Sequence, residues 1–97
     1  MTLIDLFIKD IEEIYKNLSI YRCIIIVKNF NEVKEIITKI KKYDYEPIYL
    51  TSPIINKNYR LFILSLNNIN ILKNIKKNDY NCIIYNYYTI DNINFYS

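Results

Sequence analysis

The chain contains no glycine, alanine, histidine or tryptophan, and only two prolines and two cysteines among its 97 residues. Without histidine it lacks the commonest general base and the commonest metal ligand, and without glycine it has no glycine-rich loop to cradle a phosphate. Cys23 and Cys82 each lie in apolar, strand-like sequence. Two thiols with no third cysteine or histidine make neither a zinc site nor a disulfide framework, so both read as small buried hydrophobes. No serine or cysteine stands beside a plausible base, and the expectation is a protein that is not an enzyme and carries no cofactor. Long apolar runs are missing too. Nothing approaches the roughly 18 residues of a membrane span, and Asp5, Asp10, Glu12 and Glu13 in the first stretch are unlike an acid-poor transit peptide. A soluble, unprocessed chain with no membrane partner is expected.

What is abundant is Ile, Asn, Lys and Tyr, residues with A/T-rich codons, which points to an organelle, a virus or a low-GC microbe as the source. The formal net charge of +3 permits a polyanion partner without requiring one.

The spacing of Leu3, Phe7, Ile8, Ile11, Ile14, Tyr15 and Leu18 behind Thr2, with Asp5 three residues after it, predicts a capped amphipathic helix over residues 2–17. "CIIIV", at Cys23–Val27, is apolar at consecutive positions and reads as a central strand covered on both faces. A second helix follows, with Val33, Ile36, Ile37 and Ile40 as its stripe, Asn31 as its cap and Lys39, Lys41 and Lys42 at its carboxyl end. "YEPIYLT" reads as an edge strand because Pro47 cannot donate to a ladder. Arg60 to Ser65 gives a third strand, Asn67 to Lys77 a short helix with Ile69, Leu72 and Ile75 inward, and "YNCIIYNYY" a fourth strand.

An internal echo, "IKKYDYEPIYL" against "IKKNDYNCIIY", divides the chain into two βαβ halves. Asp44 and Asp79 match across that echo, each in a turn where local hydrogen bonds favour aspartate, so they do not read as paired catalytic carboxylates. The halves are joined by the short stretch Thr51 to Tyr59, which includes Pro53. A parallel crossover usually takes a dozen or more residues and a helix, so strands two and three are expected to form a hairpin. The expected fold is therefore an α+β, ferredoxin-like βαββαβ sandwich with an antiparallel four-stranded sheet in the order 4-1-3-2 and an extra amino-terminal helix. It forms one domain over residues 1–97, with the helix at 1–18, the split βαβ core at 20–88 and a tail at 89–97. The second face of strand one would be covered by the first helix, a second subunit or a larger assembly.

"IVKNF", Ile26 to Phe30, resembles the first-strand motif of the RNA-recognition-motif family, with Ile26 at the position of the stacking aromatic. A longer stretch resembles the ribosomal small-subunit protein ten family, here the S-ten family. Its features are a first strand ending in Lys28, Asn29, Phe30 and Asn31, a helix closing in Lys39, Lys41 and Lys42, and a proline-led basic loop with Pro53, Lys57 and Arg60 before a strand ending at Ser65. This resemblance implies the same split βαβ pair and a structural RNA-binding protein of the small ribosomal subunit, in a mitochondrion or other organelle. The implied partners are rRNA and neighbouring ribosomal proteins. Lys28, Asn29, Asn56, Lys57, Asn58 and Arg60 are the expected RNA contacts, made through a basic hairpin loop. The alternative is a small homodimeric interaction module of viral or low-GC microbial origin, cytoplasmic, with a second copy or a host protein as its partner.

Overall fold

The computed structural model describes residues 1–17, 19–40 and 47–91. Along the chain come α1 (Leu3–Tyr15), β1 (Cys23–Val27), α2 (Phe30–Ile40), β2 (Pro47–Tyr49) and β3 (Leu61–Ser65). Two 3-10 segments follow, Leu66–Asn74 and Lys77–Asp79, and then β4 (Cys82–Tyr85). The amino end of α1 is fixed as its sequence predicts: Thr2 Oγ1 accepts from the Asp5 N–H at 3.2 Å, and the Asp5 carboxylate accepts from the Thr2 N–H at 3.0 Å. α2 begins differently from expectation. Its cap is Asn29, whose side-chain oxygen accepts from the Glu32 N–H at 3.1 Å, and Asn31 lies exposed in the first turn. Lys41, Lys42 and Asp44 lie outside the described residues.

The sheet has the expected strand order, read from the other edge as β2-β3-β1-β4, but every pairing in it is parallel. This overturns the antiparallel ferredoxin-like sandwich and its β2–β3 hairpin. A single connection accounts for the difference. The stretch from Leu50 to Arg60 is a crossover without a helix: it turns back along the sheet and lays Leu50, Ile55 and Tyr59 over one face. Eleven extended residues reach roughly 36 Å, far more than the three residues of β2 require, so no helix is needed for the return. Within each half the strands stay parallel as expected. The second half is inverted relative to its expected direction, so that all four strands run the same way.

Inversion also redistributes the layers. The β1–β2 connection moves toward one edge of the sheet, whereas the β2–β3 and β3–β4 connections move toward the other. Right-handed crossovers must then lie on opposite faces. One face carries Cys23, Ile25, Val27, Leu61 and Ile63 beneath α1 and α2. The opposite face carries Ile24, Ile26, Phe62 and Leu64 beneath Leu50, Ile55, Leu72 and Ile75. All five residues of β1 are fully buried, as its uninterrupted apolar run predicts, at roughly 1.5–3 kcal/mol for each large aliphatic side chain. The cover for the second face comes from the crossover and the first 3-10 segment, while α1 joins α2 on the first face.

That 3-10 segment replaces the expected helix at 67–77. The segment carries Asn67, Asn68, Asn70 and Asn74, a residue type with low helix propensity, and is kinked at Asn68, whose amide donates to the Tyr49 hydroxyl at 3.1 Å. Leu72 and Ile75 are nevertheless buried and Ile69 packs beside them.

Candidate functional site

A parallel sheet has all its strand beginnings at one end and all its strand endings at the other, and the six expected RNA contacts divide between them. Lys28 and Asn29 follow β1 at the carboxyl end; Asn56, Lys57, Asn58 and Arg60 precede β3 at the amino end. The structure therefore does not bring Lys28 and Asn29 together with the other four.

At the carboxyl end the polar groups satisfy one another. Glu32, buried at the start of α2, accepts from the Lys28 N–H at 2.8 Å, the Thr89 hydroxyl at 3.1 Å and the Asn86 amide at 3.4 Å. Asn86 is fully buried, and its own N–H donates to Ile26 O at 2.8 Å, continuing the β1–β4 ladder. The Tyr87 and Tyr88 hydroxyls both donate to Asp10, which ties α1 to the turn after β4. Hydrogen bonding to Asp10 and to Tyr88 raises the Tyr87 phenol well above its ordinary range. These contacts hold α1, α2 and the end of β4 to one another.

The amino end is different in kind. Arg60 donates to Ile20 O at 2.8 Å and Tyr21 O at 3.3 Å, and its guanidinium lies 5.1 Å from the centre of the Tyr15 ring. Arg22 donates to Asp79 O at 3.3 Å and Lys57 O at 3.4 Å. Carbonyl oxygens accept from a guanidinium without cancelling its charge, so both arginines keep this end positive, although Arg22 Nε is buried without a hydrogen-bond partner among the described residues. The Tyr21 hydroxyl donates to Asn78 O at 2.9 Å and so holds the second 3-10 segment against the same edge. Lys76 and Lys77, both exposed, open the same short segment, whose Asp79 carbonyl Arg22 reaches.

Lys57 stands 4.0 Å from the Asp79 carboxylate, a loose pair in which the lysine side chain is 71% exposed and that of Asp79 16%. Its loop is shaped by Asn56, whose side-chain oxygen accepts from the Asn58 N–H at 3.0 Å in an Asx turn. Arg22, Lys57, Arg60, Lys76 and Lys77 thus form one basic rim, with the amides of Asn56, Asn58 and Asn78 among them. Sequence reading missed Arg22, Lys76 and Lys77 because their grouping requires a parallel β1–β3–β4 arrangement.

It also missed the two cysteines as a pair. Cys23 and Cys82 are direct partners in the β1–β4 register. Acting as hydrogen-bond donor and then burial push the Cys23 thiol far above its usual range, whereas the bond from Cys23 lowers Cys82 to about 7.

Among the described residues no group of three or more His, Cys, Asp or Glu side chains could hold a metal ion, and no helix is long and apolar enough to cross a membrane. No family model matches the sequence, and comparison with curated proteins and with solved structures finds no match.

Proposed function

We propose that the chain is a non-catalytic RNA-binding protein that docks on structured RNA through the basic rim at the amino ends of β1, β3 and β4. The observation that supports this reading is the gathering of five cations from three separate segments at one edge, two of them held by backbone carbonyls that leave their charge uncancelled. Lysines on a rigid edge meet phosphates as point charges, and neighbouring asparagine amides can bond phosphate and 2′-hydroxyl oxygens. The S-ten resemblance adds ribosomal RNA of the small subunit as the setting; it rests on the order of elements and the basic loop, since the hairpin it implied is replaced by a crossover.

The test is the salt dependence of binding to small-subunit rRNA fragments. Lys57→Ala/Lys76→Ala/Lys77→Ala should weaken binding to every RNA sequence and lower the slope of log K against log salt by up to about two, at roughly 0.7 for each lost phosphate contact. Lys28→Ala should leave both unchanged. Arg60 is kept because it supports the fold. Wild-type protein without salt-sensitive binding, or a triple variant that matches it, would instead favour the homodimeric interaction module.

A further inference from the structure

We propose that Cys23 and Cys82 are a redox pair that closes to an intramolecular disulfide when the protein meets a low-molecular-weight disulfide. They are the only two cysteines of the chain, 59 positions apart, and the parallel β1–β4 register sets them directly opposite each other. Side chains of directly paired residues project from the same face of a sheet, and here both pack into the core beneath α1 and α2. Adjacent strands lie about 4.7–4.9 Å apart, within the roughly 4.4–6.8 Å between Cα atoms that a disulfide spans.

The pair is asymmetric in access. Cys23 is fully buried in the central strand, whereas Cys82 is half-buried on the edge strand β4. Cys82 is also the thiol whose ionisation is favoured, with a value of about 7. These properties assign the attacking role to Cys82 and the resolving role to Cys23.

The Cys82 thiolate attacks one sulfur of the disulfide RSSR, forming Cys82–S–S–R and releasing RS⁻, which takes up the proton lost by Cys82. The Cys23 sulfur then attacks the Cys82 sulfur, its proton passing to the second departing RS⁻. The protein dithiol loses two electrons and two protons, and RSSR gains both as two RSH. The new bond would tie the amino end of β4 to β1 directly beneath the basic rim, since Arg22 and Asn81 immediately precede the two cysteines.

The experiment treats the folded, full-length chain with oxidised glutathione, alkylates it under denaturing conditions and maps peptides by mass spectrometry. The expected result is a Cys23–Cys82 disulfide in monomeric protein, restored to two alkylatable thiols by reductant. Cys23→Ser should accumulate glutathione on Cys82, and Cys82→Ser should leave Cys23 unmodified on the same timescale. Two thiols still free after wild-type protein has equilibrated with excess oxidised glutathione would overturn the proposal, as would disulfides formed only between chains. Should either variant fail to fold, the wild-type result decides.

Discussion

Arg60 shows how one residue can belong to both the fold and the site. Its guanidinium serves the carbonyls of Ile20 and Tyr21 and covers the Tyr15 ring, which fixes the approach into β1. Arg60→Ala leaves those carbonyls without their donor, and the loss of stability should be roughly 1–3 kcal/mol, toward the lower figure because water can reach Tyr21 O. Arg60→Lys should not restore it, since one ammonium cannot reproduce a planar fork stacked on a ring. Urea unfolding measures both variants; an Arg60→Ala protein as stable as wild type would remove the clamp from the account. Some of this residue-scale detail was readable beforehand. Asn29 followed three positions later by Glu32 has the form of a helix amino-terminal cap, which Asn31 does not, and Thr2 with Asp5 follows the same pattern. The clamp itself was not readable, because 40 positions separate Arg60 from Ile20 and only the sheet brings them together.

At the scale of elements, α1 and α2 are joined at the surface by Lys39 and Asp5, 2.9 Å apart. The hydrogen bond from Lys39, followed by those from the Thr2 N–H and hydroxyl, holds the Asp5 carboxyl well below the ordinary carboxylate range. A carboxylate depressed in the folded state contributes stability that is fully present above its unfolded value, near 3.8 here, and is lost as pH falls toward the folded value. Asp5→Asn should therefore be less stable than wild type at neutral pH, with the gap in thermal midpoint constant down to about pH 5 and narrowing below about pH 4. A gap that does not change with pH would show that the ion pair and cap contribute nothing titratable. The helix stripes and the burial of β1 were legible because each element's period reports its own covered faces: Val33, Ile36 and Ile40 on α2, and every residue of Cys23–Val27. Strand direction was not legible. Period and burial are unchanged when a strand is reversed, and the choice rested on a rule about connection length that the crossover from Leu50 to Arg60 does not follow.

For the whole molecule, that single reversal decides what the surface can do. Had β3 run against β1, Arg60 would lie at the same end as Lys28, giving the site expected from sequence. With β3 parallel to β1, Arg60 lies beside Arg22 and the segment carrying Lys76 and Lys77, while Lys28 is left at the far end next to Glu32. Whether one end of the parallel sheet forms a basic surface for RNA can be read from amide chemical-shift mapping of the labelled full-length chain during titration with a small-subunit rRNA fragment. Salt-sensitive shifts should concentrate at residues 19–22, 56–60 and 76–81, with residues 28–32 and 86–89 unmoved. Shifts centred on Lys28 and Asn29, or no shifts at low salt, would contradict it.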